Sequence, residues 1–330
     1  MTRLKSAVSG SIMLLCTQLF AGEAGAQDRV KVRFGILTTA SQAAFYVGTK
    51  KGIFAKYGFD GEVQPLTTGV QANQALAAGQ ADWAGGGVES TVVAWATGLS
   101  FKAYSMYAKG GDSYAILVRN DANIHSGADL KGKKLAVPLG TAPAQGLSQV
   151  MKEAGLERDA VQRVNASFGA MGPMLVAGSV QGMAGLEPYV TLTAEKMAGQ
   201  ATILVRLGKY VQGGGLFLIS DKWAAANPTK VADAVTALWE SQQWVRQHAK
   251  EAAMIDAEFL KIEPRVVEAA SKWLTYDPLI DDFTRKSLQS TADYLAAEKM
   301  IAAPIKLEPY LADLDRVTRE VQAKHSKLLE

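Results

Sequence analysis

Hydroxyls, carboxyls and glycines gather in four short loops: Thr39, Ser41 and Gln42; Gly86, Glu89 and Ser90; Gly140, Thr141 and Ala142; and Glu187 with Tyr189. Each loop leads into, or lies beside, the start of an expected helix. There, free backbone N–H groups and the positive end of the helix dipole can receive an anion. Thr39, Ser41, Ser90 and Thr141 add hydroxyl donors. The same side chains can simply cap their helices, and a cap position can do both; the binding reading rests on convergence of the four loops. A cleft lined this way suits a sulfonate, a carboxylate or a similar group. Glu89 and Glu187 would pair with the amine of a zwitterion, or else form salt bridges to a lysine such as Lys109 or Lys209. Phe45, Trp83, Tyr114 and Tyr189 are available for an aromatic wall, with Phe45 and Trp83 assigned to the core.

The motifs of catalysis are missing. The chain has no G-x-S-x-G elbow, no G-x-x-x-x-G-K-[ST] phosphate loop, no G-x-G-x-x-G fingerprint and no H-E-x-x-H pair. Its three histidines, His125, His248 and His325, are scattered through polar or helical contexts. The one cysteine, Cys16, falls inside an N-terminal apolar stretch, so disulfides and thiolate sites are excluded from the rest of the chain. The expectation is a binding protein and not an enzyme, with no metal and no cofactor.

The elements that must position the loops alternate. Val30–Leu37 reads as a strand and Ala44–Tyr57 as a helix stopped by Gly58; Gly61–Leu66, Val70–Ala78 and Ala81–Ala84 repeat the grammar, and glycines 85 to 87 lead to a helix over 89–97. A second copy begins near Asp129, with a strand over 133–139, a turn at 140–142 and a helix over 144–154. Residues 175–185 sit 99 positions after residues 76–86, and both stretches carry Ala-Gly at a helix end before a short strand. Such alternation predicts an α/β fold of two lobes, each a mixed, mostly parallel sheet flanked by helices. From Asn227 the pattern turns wholly helical, with Asn227 as an N-cap before Pro228. Apolar faces run along Val231, Val235, Leu238, Trp239 and Val245, then Phe283, Leu288, Thr291 and Leu295, then Leu311, Leu314, Val317 and Val321. These extra helices are expected to pack back on the first lobe. Gly110-Gly111 and Gly213-Gly214-Gly215 mark flexible crossings that would allow hinge closure.

Arg3 and Lys5, an apolar run over 12–20 and the small residues Ala24-Gly25-Ala26 have the order of a secretory signal peptide, placing the product in the periplasm. Removing residues 1–26 takes away Arg3, Lys5 and Glu23, so 35 basic and 32 acidic residues become 33 and 31 and the charge falls from +3 to +2. That balance gives no reason to expect nucleic acid or a charged membrane as partner. The remaining length calls for about two domains: residues 27–118 with 213–330, and residues 119–212. A monomer is expected.

Phe45–Glu62, Ala75–Asp82, Asp129–Lys134, Glu187-Pro188-Tyr189 and the late Thr291–Leu295 segment, taken in this order, resemble the sulfonate, taurine and nitrate-binding proteins of ABC importers. The resemblance implies the type II periplasmic binding fold, a ligand held between the lobes and delivery to an inner-membrane permease. Relatives of that kind often carry Gly-Ser-Thr and a nearby His after the first strand of the second lobe. Here the loop reads Leu139-Gly140-Thr141-Ala142-Pro143-Ala144-Gln145, so the resemblance does not carry over a ligand. Two alternatives stand beside this: a thiamine-pyrimidine synthesis enzyme of the same superfamily, which would use a cysteine-rich segment that this chain lacks, and a ligand sensor docking on a membrane receptor.

Overall fold

A computed structural model describes residues 29–311 and 313–330; the expected signal peptide, with Cys16, lies outside them. The first sheet begins with β1 (Val30–Leu37), α1 (Ala43–Lys50) and α2 (Ile53–Lys56), where one continuous helix was expected. The break falls at Gly52, whose φ of +69 suits glycine. Next come β2 (Phe59–Leu66), α3 (Gly69–Ala77), β3 (Trp83–Gly87), α4 (Val88–Ala96) and β4 (Phe101–Ala108). Glycines 85 to 87 are thus strand, where a turn was expected. They pair with Gly215–Phe217, and a Cβ on Gly85 would lie 2.1 Å from Gln42 Oε1.

The second sheet holds β5 (Tyr114–Arg119), β6 (Lys134–Val137), α5 (Ala142–Glu153), β7 (Gln162–Asn165), α6 (Phe168–Val176), β8 (Gly182–Leu186), α7 (Tyr189–Lys196) and β9 (Ala201–Arg206). The chain then returns as β10 (Gly215–Ser220) and continues through α8 (Asp221–Ala226), α9 (Val231–Gln247), α10 (Ala249–Leu260), α11 (Pro264–Ser271), α12 (Asp282–Ala297) and α13 (Leu314–His325). The strand orders are β2-β1-β3-β10-β4 and β7-β6-β8-β5-β9. In each sheet the strand that follows a crossing, β10 or β5, inserts antiparallel to both neighbours, while the first three strands pair in parallel. Residues 114–118, placed with the first lobe from sequence, therefore pair in the second sheet.

The two crossings lie against each other. A Cβ on Gly111 would fall 1.9 Å from Val211 O, and one on Gly214, at φ +99, 2.1 Å from Ala108 O. These glycines allow close backbone approach as well as turning. Lys109 and Thr275 exchange backbone hydrogen bonds of 2.7 and 2.8 Å, tying the crossing to the C-terminal helices.

The first lobe is packed around aromatic rings. Trp83 is fully buried and stacks on Phe34 at 5.1 Å, with Phe45, Phe59, Phe217 and Trp223 around the pair. Phe45 and Trp83 are core residues, as their strand and helix positions required. The C-terminal faces also bury, with one exception: Phe283 is 68% exposed while Leu288, Thr291 and Leu295 are buried. It lies in the first turn of α12, off the stripe that the other three share. Asn227 does not cap a helix; its side-chain amide donates backward to Trp223 O.

Candidate functional site

The four loops meet at the boundary between the sheets. The loop after β1 carries Thr38 to Gln42, and Gln42 Nε2 donates to Gly85 O within β3. Thr39 and Ser41 share a hydroxyl hydrogen bond of 3.0 Å, and Ser41 reaches the phenol of Tyr107 on β4. Neither Thr39 nor Gln42 caps its helix with a side-chain bond. Two contacts then bridge the lobes. The phenol of Tyr189, at the start of α7, lies near Thr38, and the carboxyl of Glu89, in the first turn of α4, lies near the N–H of Ala142, the first residue of α5.

Glu89 is the electrostatic centre of this arrangement. It is 6% exposed and no cation pairs with it among the described residues, so the lysine salt bridge expected as an alternative does not form. Burial raises its pKa to about 7, against the opposing pull of its own N–H and that of Ala142. A carboxyl thus sits where two helix starts, α4 and α5, turn their N–H groups. Beside it a cavity of about 10 Å³ opens between Glu89, Met106, Gln212 and Thr284, enough for about one water.

Glu187 takes a different role. It is 2% exposed; Arg206 Nη2 donates to its Oε1 at 3.0 Å, and Thr191 N–H donates to its Oε2 at 3.0 Å. Its carboxylate therefore caps α7 and pairs with an arginine, whereas a ligand amine or a lysine such as Lys109 or Lys209 was expected. Lys109 goes to Asp277 and Asp281, and Lys209 to Glu153. Arg206, absent from the sequence reading, also stacks over the Trp273 ring at 3.8 Å and so holds the second lobe to the C-terminal segment of the first.

The remaining residues divide. Thr141 donates its hydroxyl to Pro138 O at 2.6 Å, so its proton is committed within the turn. Gly140, at φ +74, faces Met300, whose methyl a Cβ would meet at 2.6 Å. Ser90 donates to Gly87 O and fills the space beside Gly69. Gly86 is pressed by Leu218 and Thr91 in the first lobe. Tyr114 is buried, and its hydroxyl accepts from Gly214 N–H at the crossing, so it is hinge packing and not ligand wall. Tyr189 stacks on Phe168 at 6.0 Å and remains half-buried at the boundary. Thr38, Thr39, Ser41, Gln42, Glu89, Ala142 and Tyr189 are thus brought together, while Gly86, Ser90, Gly140, Thr141 and Glu187 support the walls.

The three histidines lie elsewhere. His125 is in an exposed loop, His248 stacks on Trp244 at the end of α9, and His325 closes α13 against Tyr57. Among the described residues no group of three His, Cys, Asp or Glu side chains could hold a metal ion, and no helix is long and apolar enough to cross a membrane.

A family model described as NMT1/THI5 like matches residues 39–252. The chain is 26% identical over 296 residues to a Bacillus subtilis protein named "Putative aliphatic sulfonates-binding protein", covering 87% of each. Among solved structures it is similar to the alkanesulfonate-binding protein SsuA from Xanthomonas axonopodis pv. citri bound to MOPS, with a TM-score of 0.75, 22% identity, and 86% and 98% of the two chains covered. It is similar as well to the desulfurization enzyme DSZB, with a TM-score of 0.68, 17% identity, and 88% and 99% covered. At these identities the structural likeness speaks for the fold.

Proposed function

Because the chain belongs to the NMT1/THI5-like family, we propose that it is the periplasmic solute-binding component of an ABC importer, closing its lobes on a small organic oxyanion and passing it to a permease. The observation that carries this reading is the meeting of Glu89 with Ala142 N–H and of Tyr189 with Thr38, which sets the starts of α4, α5 and α7 and the loop before α1 around one interlobe point. Helix starts and hydroxyls at one point favour an anion. The sulfonate-binding relatives support a sulfonate first, with carboxylates next. We assign the lobes as residues 27–113 with 213–330, and 114–212, acting as a monomer.

Glu89 fits this role in either protonation state. As a carboxylate it takes the N–H of Ala142 in place of a ligand; protonated, it becomes a donor that an oxyanion oxygen can accept from. A second reading, an enzyme, is raised by the likeness to DSZB. It would require a nucleophile or a proton-transfer pair at the site. Cys16 is the sole cysteine, and the histidines lie away from the four loops, which favours binding over catalysis.

The test is thermal melting of residues 27–330 with ethanesulfonate, taurine, benzoate and nitrate at matched ionic strength. A ligand of the native state stabilises it by RT ln(1 + [L]/Kd), about 2.7 kcal/mol at a hundred times Kd. At least one oxyanion should raise the melting temperature, and isothermal calorimetry should give one site per chain. A panel with no shift would sink the proposal.

A further inference from the structure

Helix α12 of the first lobe has two working faces. Leu288, Ala292 and Leu295 are buried in the first-lobe core with the apolar side chains of α4. Thr291, Tyr294 and Glu298 recur at the i, i+3, i+7 spacing of a second stripe, and this one meets the second lobe. Thr291 Oγ1 donates to Gln145 Oε1 at 3.2 Å, with both residues buried. The hydroxyls of Tyr294 and Ser148 lie 3.4 Å apart. Glu298, the residue that ends the helix, pairs with Arg158 at 2.9 Å and with Arg163 at 3.4 Å. Gln145 and Ser148 are themselves three positions apart on α5, so two rungs join helix to helix and the third grips Arg158 and the strand β7 beyond it.

Every rung of this seam is polar, whereas the face that fixes α12 to its own lobe is apolar. A contact that opens must leave behind groups that water can satisfy; hydroxyls, an amide and ions qualify where leucines would not. The charged rung is the strongest. The side chains of Glu298 and Arg163 are 14% and 11% exposed, so their pair is largely out of water. Arg163 Nε is buried with no partner, and Glu298 is the one acid within salt-bridge distance of either arginine among the described residues. Closing the seam without Glu298 would bury Arg163 unpaired, which is strongly unfavourable. Glu298 lies seven residues along the helix from Thr291, about 10 Å at the helical rise, and Thr291 lines the cavity beside Glu89. The seam thus starts beside the interlobe point, and its charged end stands clear of a small ligand held there.

We propose that Glu298, gripping Arg158 and Arg163, is a positioning residue that latches the lobes closed and sets how long a bound solute stays, without touching it. The proposal rests on the two-lobed binding reading. Of the other charged contacts between the lobes, Arg265 pairs with Glu195 at 2.7 Å with both side chains exposed, and such pairs contribute little. Arg206 over Trp273 is already committed to Glu187 within its own lobe. Opening the lobes separates Glu298 from both arginines at once, so the latch adds to the closed form and to nothing else.

The experiment compares residues 27–330 as wild type, as Glu298→Gln, as Arg158→Gln with Arg163→Gln, and with all three changes. Glutamine keeps the size of Glu298, and the end of α12 is closed by the Glu298 backbone N–H, which bonds Tyr294 O and Ala296 O whatever the side chain. The arginine variant breaks the latch from the other lobe, so the test does not hang on one protein folding. Without ligand, small-angle X-ray scattering should give a larger radius of gyration for each variant than for wild type, because loss of the latch populates the open form. Unchanged radii would overturn the proposal whether or not any oxyanion binds. With an oxyanion that raises the melting temperature, release followed by tryptophan fluorescence should be about tenfold faster in Glu298→Gln and in the arginine variant, as loss of a hydrogen bond between charged groups implies. Combining the changes should speed release no further, since both remove one contact; effects that multiply would mark independent surface charges and overturn the latch. A panel in which nothing binds sinks the oxyanion reading alone and leaves the scattering to decide the latch.

Discussion

Replacing Glu89 with glutamine keeps the acceptor that faces Ala142 N–H and removes the ionisable proton. In the native state burial holds the Glu89 pKa at about 7, against 4.5 as its ordinary value. The unfolded chain therefore gives up this proton first as pH rises, and the native state binds the excess proton between the two values. Stability attributable to Glu89 is fully present below pH 4.5 and is lost as pH climbs through 7. The span is 7 − 4.5 = 2.5 pH units, and at about 1.4 kcal/mol per unit it amounts to on the order of 3 kcal/mol. The assay is urea unfolding of ligand-free wild type and Glu89→Gln at pH 5, 6, 7 and 8. The free-energy difference, variant minus wild type, should grow by about 2.5 kcal/mol of that from pH 5 to pH 8, because at pH 5 the unfolded chain has already given up most of this proton. Asp256 titrates with the same sign but is present in both proteins, so it cancels. A difference that stays flat across the range would refute the buried, proton-holding Glu89.

Two further outcomes are expected. An oxyanion that competes with the Glu89 carboxylate should bind more tightly as pH falls from 8 to 6, and Glu89→Gln should flatten that profile in calorimetry. Arg206→Ala should cost about 3 kcal/mol in urea unfolding, because it leaves the buried Glu187 carboxylate without its cation; a loss under about 1 kcal/mol would class the pair with exposed salt bridges.

Much of the architecture was legible in local pattern. The strand β1 has the bounds read from its alternation, Val30–Leu37, and α3 and α4 fall within a residue of their expected ranges. The apolar faces of α9 and α13 bury as their helical periods demand. These features depend on neighbours two to four positions apart, which the order of residues displays directly. The loops were found for the same reason, since each follows a strand and precedes a helix.

What sequence order could not display is which distant groups meet. β10 slots antiparallel between β3 and β4, more than a hundred residues before it in the chain, and nothing local to Gly215–Ser220 specifies that partner. The same holds at the site. Glu187 was left between a ligand amine and a lysine such as Lys109 or Lys209, yet β9 brings Arg206 to it across 19 positions; Glu89 meets no lysine because folding sets it against the start of α5, 53 residues on. Asp256 sits on a helix whose sequence reads as an ordinary amphipathic one, and only the packing of α1, α10 and the 271–276 segment leaves it unpartnered beside a cavity. Residue types thus determined the elements and the kind of chemistry available. The tertiary structure decided which carboxyl is paired, which is held near a pKa of 7 and which is left open, because those states depend on burial and on partners that only the fold brings within a few ångströms.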